Sequence, residues 1–452
     1  MSTKKTAAKT LKASISGIRG IIGAGLDVET IVRYVNAYAS LFPRKSAFAV
    51  GRDTRITGDA ITKVVCGALA ANGMDVHDCG IAPTPTVLYT VKNRKLAGGI
   101  IVTASHNPIE WNALKFAGAG GVFLGQKQVD RLLAASAVNE PVTTGAREYG
   151  SIGVYPCAVS DHVDAVVRYV NAKKIRAAKL TVACDFANGT GLVSTPVLLE
   201  RLGVKLVAVN DELTGTFAHS PEPTVETMAE LSQFIKRKKA DIGFMQDPDA
   251  DRLAFVDEKG RIVGEEYTLA VAAQHIFSKH TTDAAVNLST SRMIDDVAKE
   301  YGRKVLRTKI GEINVTETIL AKKLYFGGEG NGGVIVPSVT AGRDSLLAMA
   351  IILERMAETG SRISEIVDAI PSYSIIKDKV NARNADVKKI YAAMRKVFAG
   401  AVINDIDGIR ADVADGWVHV RTSNTEPVIR IIAEARDIDT ARQLIEKAKA
   451  TI

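Results

Sequence analysis

The sequence is poor in the residues that build disulfide frameworks and transition-metal sites. Its 452 residues include four cysteines, Cys66, Cys79, Cys157 and Cys184, which are scattered and form no CxxC pair. The seven histidines form no HExxH motif and no closely spaced cluster, which disfavours a zinc site. Scattered cysteines are typical of reduced thiols, so we expect a cytoplasmic protein without a disulfide frame.

Long apolar runs and long basic stripes are also missing. The apolar run at 346–353 is far shorter than the roughly 18 residues of a membrane span and is typical of a buried helix.

Four lysines among the first twelve residues supply half of the net charge of +8. We expect residues 1–13 to be a disordered basic lead; it lacks the apolar region of a secretory signal. The remaining positive excess suits anionic small molecules, and we expect no nucleic-acid and no membrane partner.

The chain is too long for one hydrophobic core, since single cores rarely exceed about 250–300 residues. Residues 47–55 predict a strand and a turn, 61–73 a helix, and 74–80 the next strand. This βαβ order predicts an α/β fold with mostly parallel, helix-covered sheets. Similar openings recur at 180–191 and 283–292, and three strand–loop–strand units recur as GGIIVTASHNPIEWNALKF, DIGFMQDPDADRLAFVD and LYFGGEGNGGVIV. We therefore predict three related α/β domains with mixed, mostly parallel sheets.

The last eighty residues have a different pattern. Residues 377–382 predict a strand, 385–399 a helix, 405–424 a hairpin and 428–435 another strand, before a closing helix. This order predicts a smaller α+β domain at the C-terminus. The predicted domain limits are 14–155, 156–256, 257–370 and 371–452.

The stretch DPDADR (247–252) carries Asp247, Asp249 and Asp251 at alternating positions. Three such carboxylates need a cation or full solvation, and hard oxygen ligands suit Mg²⁺, Mn²⁺ or Ca²⁺. The spacing nearly fits an EF-hand loop, but Arg252 stands where that loop needs glycine, and the flanking segments are typical of strands. We predict a divalent-metal loop between strands, with a solvated acidic turn as the alternative. Arg252 indicates a second anion nearby, such as a phosphate.

An apolar strand ends abruptly in TASHNP (103–108), where Ser105 and His106 precede a proline. Adjacent side chains diverge along a strand, so we expect His106 to point away from Ser105. No Ser-His-Asp order supports a hydrolytic triad, and an ordinary polar turn is the alternative. A metal loop, a serine and a phosphate-seeking arginine together indicate phosphoryl transfer.

Two further stretches are rich in polar groups on turns. In GGEGNGG (327–333), Glu329 and Asn331 alternate on a backbone that a ligand can approach closely, which suits sugar hydroxyls. In RTSNTEPVIR (421–430), two arginines and short polar side chains predict a phosphate cradle. A glycine-rich hairpin and a polar hairpin are the respective alternatives. Arg19 lies between glycines near the start and says little by itself.

In this order the stretches resemble those of the α-D-phosphohexomutase superfamily, whose members interconvert sugar 6-phosphates and sugar 1-phosphates. TASHNP matches its phosphoserine loop letter for letter, and DPDADR matches its magnesium loop. RTSNTEPVIR matches the phosphate-binding loop RxSGTEPxxR, and GGEGNGG stands where the sugar-recognition loop GExSGH lies. Residues 51–55, 218–223 and 308–312 also correspond to family stretches. The resemblance runs from about residue 14 to the C-terminus and implies four domains around a central cleft.

The resemblance also implies roles for individual residues. Ser105 would carry a phosphoryl group, with a hexose 1,6-bisphosphate as intermediate and activator. Mg²⁺ would be held by Asp247, Asp249, Asp251 and an oxygen of phosphorylated Ser105. The implied catalytic residues are Ser105, His106, Lys115, Arg19 and Arg252. The implied substrate-binding residues are Glu329, Asn331, Lys309, Arg421, Ser423, Asn424, Thr425 and Arg430. The expected partners are hexose phosphates, and the expected assembly is a monomer or a homodimer.

The chain departs from the family pattern in the sugar loop, where Asn331 and Gly333 replace the usual serine and histidine. Gly333 removes a candidate acid or base, which leaves Lys115 as the better candidate. The loop, with WNALK and SNTEP, is most similar to bacterial phosphoglucosamine mutases, although archaeal-type phosphomannomutase/phosphoglucomutases share its GG ending. We expect glucosamine phosphate as substrate, with glucose and mannose phosphates as alternatives. A non-catalytic sugar-phosphate binding protein and a metal-dependent phosphatase are alternatives of other classes.

Overall fold

Four sheets follow one another along the chain in the computed structural model. The structure describes residues 10–138, 144–382, 385–423 and 428–452. We name the four sheets with their helices units I to IV; they cover residues 12–154, 158–257, 266–368 and 374–449.

Unit I contains the largest sheet. Its strands are β1 (Lys12–Ser14), β2 (Gly17–Ile21), β3 (Ala47–Arg52), β4 (Asp75–Ile81), β5 (Gly98–Val102), β6 (Trp111–Gly118), β7 (Val122–Phe123) and β8 (Ile152–Val154). Its helices are α1 (Val28–Ala39), α2 (Gly58–Ala71), α3 (Thr84–Asn93) and α4 (Gln126–Val138), with 3₁₀ turns at Ala119–Gly121 and Ala146–Glu148. The strand order is β1-β2-β6-β5-β3-β4-β8, and β7 pairs with β6.

The prediction that residues 1–13 are disordered is wrong for the C-terminal end of this segment. Lys12 and Ala13 pair with Arg19 and Ile18 in an antiparallel hairpin, because β1 completes the edge of the first sheet. Residues 1–9 lie outside the described part of the chain.

Units II and III repeat one arrangement. The strands of unit II are β9 (Thr181–Asp185), β10 (Lys205–Val209), β11 (Ile242–Gln246) and β12 (Leu253–Asp257), and its helices are α5 (Ala158–Tyr169), α6 (Ala172–Ala178), α7 (Gly191–Arg201) and α8 (Ala229–Lys238). The strands of unit III are β13 (Ala284–Asn287), β14 (Val305–Thr308), β15 (Phe326–Glu329) and β16 (Gly333–Ile335), and its helices are α9 (Glu266–Lys279), α10 (Met293–Glu300), α11 (Glu312–Lys322), α12 (Ser345–Thr359) and α13 (Ile363–Asp368). The second sheet runs one residue past the predicted limit of 256, because β12 ends at Asp257.

The same four-strand pattern occurs in the first three sheets. Three neighbouring strands are parallel and a fourth is antiparallel, in the orders β4-β3-β5-β6, β10-β9-β11-β12 and β14-β13-β15-β16. In each sheet one predicted functional loop joins the third strand to the antiparallel fourth. The structure therefore confirms the prediction of α/β units with mixed sheets. The sheets of units II and III are mostly parallel, whereas that of unit I has three parallel and four antiparallel pairs.

Unit IV is smaller and antiparallel throughout its sheet. Its strands are β17 (Ser374–Asn381), β18 (Val402–Asn404), β19 (Ile409–Val413), β20 (Gly416–Thr422) and β21 (Val428–Ala435), and its helices are α14 (Val387–Val397) and α15 (Ile438–Lys449). The sheet order is β17-β21-β20-β19-β18. This confirms the predicted α+β unit at the C-terminus.

The hydrophobic cores divide the chain differently from the sheets. One continuous cluster joins units II and III, from Val163 to Ile370, and α12 lies inside it with every residue from 346 to 353 inaccessible to solvent. Unit IV has its own cluster between its sheet and two helices. Units II and III therefore form one packed body, whereas units I and IV each have a core of their own. No helix in the described residues is long and apolar enough to cross a membrane.

Candidate active site

A cavity of about 410 Å³ lies where the four units meet. The loops that follow β5, β11 and β15 reach it, because the carboxyl ends of parallel strands collect at one edge of a sheet. The predicted residues that line the cavity are Arg19, Ser105, His106, Lys115, Arg252, Glu329, Asn331, Arg421, Ser423 and Arg430. The folded chain thus brings together loops that are separated by more than 300 positions.

Ser105 stands at a sharp turn directly after β5. Its backbone is left-handed, with φ of 51°, which is uncommon for a residue with a side chain. The hydroxyl donates to Asp247 Oδ2 at 2.9 Å, and the backbone N–H donates to Thr103 Oγ1 at 2.9 Å. The prediction that His106 points away is wrong: its Nδ1 lies 3.3 Å from Ser105 Oγ. The left-handed turn interrupts the alternation of side chains along the strand, so the side chains of Ser105 and His106 face the same cavity.

A buried arginine holds the serine loop in place. Arg55 is 1 % exposed, and its guanidinium donates to four backbone carbonyls of the loop. These belong to Ser105 (2.7 Å), Asn107 (2.6 Å), Pro108 (2.7 Å) and Trp111 (3.0 Å). Arg55 Nε also donates to Asp53 Oδ2 at 3.0 Å, so the buried charge is paired. The turn around Ser105 is therefore fixed by unit I itself.

The three aspartates of the predicted metal loop are fully buried behind Ser105. Lys115 Nζ donates to Asp249 Oδ2 at 2.7 Å and lies 3.5 Å from Asp251 Oδ2. The outer oxygens Asp249 Oδ1 and Asp251 Oδ1 are buried without a hydrogen-bond partner among the described residues. Buried carboxylate oxygens without donors require a cation, and hard oxygen donors suit Mg²⁺. The residues present therefore fit the divalent cation that the sequence predicts.

Burial and neighbouring charges shift the pKa values of these groups in different directions. Burial, followed by repulsion from Asp251 and Asp249, raises the pKa of Asp247 well above its ordinary value. Burial also acts to raise the pKa of Asp249, but the Lys115 ammonium overcomes this and lowers it. Burial acts to lower the pKa of Lys115, but the carboxylates of Asp249 and Asp251 outweigh burial and raise it. Lys115 thus stays charged next to the carboxylates.

Further cations surround the serine. Arg19 Nη1 donates to Asn107 Oδ1 at 3.0 Å, and Arg252 Nη1 lies 3.9 Å from Glu222 Oε1. Repulsion from Arg252, followed by burial and repulsion from Arg19, lowers the pKa of His106 well below its ordinary value. His106 is therefore neutral at neutral pH, and the arginines supply the positive charge at the serine.

Glu329 of the predicted sugar loop is held on both carboxylate oxygens. Oε1 accepts from Asn287 Nδ2 at 2.8 Å and from the Gly311 N–H at 3.3 Å. Oε2 accepts from Arg343 Nη1 at 3.0 Å and from Asn331 Nδ2 at 3.5 Å. The carboxylate is thereby fixed in orientation at the edge of the cavity.

The predicted phosphate cradle lies on unit IV. Arg421, Ser423 and Arg430 line the cavity, whereas Asn424 and Thr425 lie outside the described residues. Lys309 is exposed and does not line the cavity; the following residues, 310–313, do. The structure thus brings the two arginines and Ser423 to the cavity and leaves the Lys309 side chain at the surface.

Several cavity residues are not among the site residues that the sequence predicts. Arg343 contacts both the metal loop and the sugar loop. Glu312 ends the stretch TKIGE, and burial raises its pKa to about 7; burial likewise raises the pKa of Glu266 to about 8. Glu265 accepts from Lys377 Nζ at 2.6 Å, which joins units III and IV. Only folding places these residues at the cavity, so a scan for local patterns misses them.

Comparison with known proteins bears on the identity of this arrangement. Four domain descriptions of the phosphoglucomutase/phosphomannomutase family match the chain in order. They are alpha/beta/alpha domain I at residues 11–141, domain II at 160–260, domain III at 265–373 and the C-terminal domain at 379–450.

Two curated relatives extend over nearly the whole chain. A phosphoglucomutase/phosphomannomutase of Thermococcus kodakarensis is 34 % identical over 440 residues, which is 95 % of this chain and 96 % of the relative. A phosphoglucosamine/phosphogalactosamine mutase of Sulfurisphaera tokodaii is 31 % identical over 450 residues, which is 96 % of this chain and 98 % of the relative.

The fold agrees with a solved structure. A phosphoglucomutase/phosphomannomutase family protein from Burkholderia thailandensis superimposes with a TM-score of 0.84 at 24 % identity, and covers 99 % of this chain and 97 % of its own. At that identity the likeness shows the fold alone. Together with the matched domains and relatives, it means that the chain belongs to the phosphoglucomutase/phosphomannomutase family, within the α-D-phosphohexomutase superfamily.

Proposed function

We propose that this phosphohexomutase moves a phosphoryl group between O6 and O1 of a hexose phosphate through phosphorylated Ser105, with Mg²⁺ and with glucosamine phosphate as preferred substrate. The observation that carries the proposal is the position of Ser105. Its hydroxyl contacts Asp247 Oδ2 at 2.9 Å and faces a cavity lined by Arg19, Lys115 and Arg252. A serine between buried carboxylates and cations is suited to hold and release a phosphoryl group.

The first chemical step transfers the phosphoryl group from the enzyme to the sugar. The O1 hydroxyl of a hexose 6-phosphate attacks the phosphorus on Ser105, a new P–O1 bond forms, and the bond from phosphorus to Ser105 Oγ breaks. The hydroxyl proton ends on Ser105 Oγ, so atoms and charge balance. The product is a hexose 1,6-bisphosphate and an unmodified serine.

The second step is the same reaction in reverse at the other end of the sugar. The bisphosphate turns over in the cavity and Ser105 Oγ attacks the phosphorus on O6, so that the bond from phosphorus to O6 breaks. The serine proton ends on O6, and a hexose 1-phosphate leaves. Arg421, Ser423 and Arg430 then hold whichever phosphate is not reacting, since they line the cavity on unit IV. Arginine and hydroxyl donors bind either phosphate equally well, as is required for a substrate that binds in two orientations.

Phosphoryl transfer depends mainly on positioning and charge neutralisation. Arg19 and Arg252 neutralise charge on the moving group. Lys115, which stays charged, is the candidate to donate a proton to Ser105 Oγ and to regain one from the sugar hydroxyl. Ser105, Asp247, Asp249 and Asp251 would hold Mg²⁺, which would neutralise phosphoryl oxygens when bound. The unpartnered oxygens of Asp249 and Asp251 support that assignment.

The choice of sugar is supported by the carboxylates around the cavity. Glu265 and Glu329 line it, and a carboxylate favours the ammonium group of glucosamine over the hydroxyl of glucose or mannose. Glu266, whose pKa burial raises to about 8, adds little charge at neutral pH. The name of the Sulfurisphaera tokodaii relative agrees with an amino sugar, whereas that of the Thermococcus kodakarensis relative indicates glucose and mannose phosphates. A direct comparison of substrates is therefore the decisive test.

Phosphorus NMR provides that test. The protein with Mg²⁺ and a hexose 1,6-bisphosphate would receive glucosamine, glucose, mannose or N-acetylglucosamine 6-phosphate in separate samples. We expect a hexose 1-phosphate signal that grows fastest with glucosamine. Faster conversion of glucose or mannose phosphate would overturn the sugar preference. Inorganic phosphate alone would indicate a phosphatase, and binding without conversion would indicate a non-catalytic sugar-phosphate protein; either result would overturn the mutase mechanism.

A further inference from the structure

Arg343 links three carboxylates that come from separate parts of the chain. The residue lies just before α12, and its side chain is 9 % exposed. Nη2 donates to Asp251 Oδ2 at 2.6 Å, and Nη1 donates to Glu329 Oε2 at 3.0 Å. Nε lies 3.2 Å from Glu312 Oε2. One guanidinium thus connects the metal loop of unit II to the sugar loop of unit III.

The space that Arg343 occupies depends on Gly333. A Cβ atom added to Gly333 would lie 2.2 Å from Arg343 Cδ and 2.7 Å from Cγ, which is far inside ordinary contact distance. Gly333 has no positive φ, so its backbone would accept alanine. Any side chain at 333 therefore displaces the arginine. This is the loop position where the family pattern predicts a histidine, and here the arginine side chain reaches into that space from the other side.

The backbone that carries Arg343 is anchored by buried polar contacts. The next residue, Asp344, caps α12 by accepting from the Leu347 N–H at 3.1 Å. Asp344 Oδ2 is also 2.8 Å from His162 Nε2, and Ser345 Oγ donates to the Ala250 carbonyl within the metal loop at 2.6 Å. The arginine therefore projects from a fixed segment towards both carboxylates.

We propose that Arg343 is a positioning residue with two opposing effects: it orients Glu329 for the sugar hydroxyls, and it weakens cation binding by neutralising Asp251. The inference rests on the proposed function, because it assumes a divalent cation at Asp251 and a sugar at Glu329. A buried cation 2.6 Å from a metal-binding carboxylate lowers the attraction of that carboxylate for a second cation. The same guanidinium, by donating to Glu329 Oε2, fixes the direction in which the carboxylate can accept.

Removal of the guanidinium should therefore change the two affinities in opposite directions. In Arg343→Gln, we expect Mn²⁺ to bind about tenfold more tightly, since Asp251 loses the nearer of the two cations that offset its charge. The KM for the hexose phosphate should rise about tenfold, because Glu329 loses its charged donor. Arg343→Lys keeps the charge but not the two-sided fork, so we expect Mn²⁺ binding as in the wild type and a raised KM.

Gly333→Ala provides an independent test of the same contact. We expect the added methyl group to displace the guanidinium and to reproduce both effects of Arg343→Gln. The double variant Gly333→Ala/Arg343→Ala should be no more impaired than Arg343→Ala alone, since alanine at 343 lacks the Cγ and Cδ atoms that the methyl group would displace. Arg362→Gln is the matched control, because Arg362 is exposed at the start of α13 and lies outside the cavity lining.

The measurements are Mn²⁺ titration by electron paramagnetic resonance, steady-state kinetics and thermal unfolding of the full-length protein. Tighter Mn²⁺ binding with a raised KM would support the proposal, even with the lower unfolding temperature that follows when three largely buried carboxylates lose their arginine. Weaker binding of both ligands with a lower unfolding temperature would overturn it and leave Arg343 a structural residue. Wild-type protein that converts no hexose phosphate would refute the proposed function instead. The Mn²⁺ titration distinguishes the two failures because it needs no turnover.

Discussion

The two walls of the cavity are held in place by different kinds of contact. The wall with Ser105 and the three aspartates is held by Arg55 and by buried ion pairs between units I and II, such as Lys115 with Asp249. The wall on unit IV belongs to a body with its own core. It joins unit III through polar contacts such as Lys377 Nζ to Glu265 Oε1, 2.6 Å.

This difference separates the groups that would carry out the chemistry from the groups that would bind the second phosphate. The groups that would break and form bonds are fixed in advance, which is what charge stabilisation in a transition state requires. The groups that would hold the second phosphate sit on a unit whose contacts can be exchanged for water. A bisphosphate that turns over inside the cavity needs one wall that keeps its shape and one that can release it.

The largest expected effect tests the fixed wall directly. Ser105→Ala should lower turnover by on the order of 10³-fold or more, because it removes the atom that carries the phosphoryl group. Binding of hexose phosphate, measured by calorimetry, should persist because the phosphate cradle is untouched. Ser160→Ala is the control, since the Ser160 hydroxyl is exposed and donates only to the Cys157 carbonyl among the described residues. Undiminished turnover in Ser105→Ala would refute the phosphoserine mechanism.

A second prediction concerns the anchor of that wall. Arg55→Gln should lower the free energy of unfolding by about 3 kcal/mol, because it leaves Asp53 buried without its partner and frees four loop carbonyls. Urea unfolding would measure the change, and turnover should fall as well. Arg52→Gln is the matched control on the same segment. Its ion pair with Asp59 is long, at 3.7 Å, and Asp59 is exposed, so we expect a loss below about 1 kcal/mol. Equal losses in both variants would argue against a specific clamp.

A third prediction concerns the opposite wall. Arg421→Gln should raise the KM for the hexose phosphate about 30-fold, equivalent to about 2 kcal/mol, while kcat changes little. A group that holds the non-reacting phosphate binds ground state and transition state alike, which gives that split. Arg436→Gln is the control on the same unit, because its side chain is 56 % exposed. A fall in kcat as large as the rise in KM would place Arg421 in the chemistry instead.

The smallest expected effect is a pH dependence of the polar contact between units III and IV. His419 Nε2 donates to the Asp407 carbonyl at 2.6 Å, which leaves Nδ1 to accept from the Ser289 hydroxyl at 2.9 Å. Burial lowers the pKa of His419 to about 4, against 6.5 in the unfolded chain. The unfolded state therefore takes up the proton first, and stability is lost as the pH falls from 6.5 towards 4.

The loss should reach about 1–2 kcal/mol at pH 5. Thermal unfolding between pH 8 and pH 5 would measure it in the wild type and in His419→Gln, which cannot titrate at this position. We expect the glutamine variant to be less stable at pH 8 and to depend less on pH. The same slope in both proteins would show that other groups, not His419, control the acid response.

Part of this architecture follows directly from the sequence. The alternation of strands and helices predicts the repeated units, and the structure confirms that their loops occupy one equivalent position between a parallel and an antiparallel strand. Ser105 and the aspartates are recognisable because their chemistry is concentrated in one short stretch each. The antiparallel sheet of unit IV is likewise visible in the pattern of its last eighty residues.

The rest depends on contacts between distant segments. Arg343 stands in an ordinary-looking turn, and only folding brings it to Asp251, which is 92 positions away. The orientation of His106 follows from the left-handed backbone of Ser105, which no side-chain pattern reveals. Arg55 belongs to a stretch that resembles the family, yet its role as an anchor rests on four carbonyls some fifty positions away.

The shared core of units II and III has a consequence for the growing polypeptide during translation. Its central helix, α12, is made late, and about 100 residues separate the end of β12 from the end of α12. At 5–20 residues per second, the faces that α12 covers remain exposed for about 5–20 s after unit II has been synthesised. A nascent chain in that interval presents apolar surface to the cell, so this stretch of synthesis is where a ribosome-associated chaperone has most to protect.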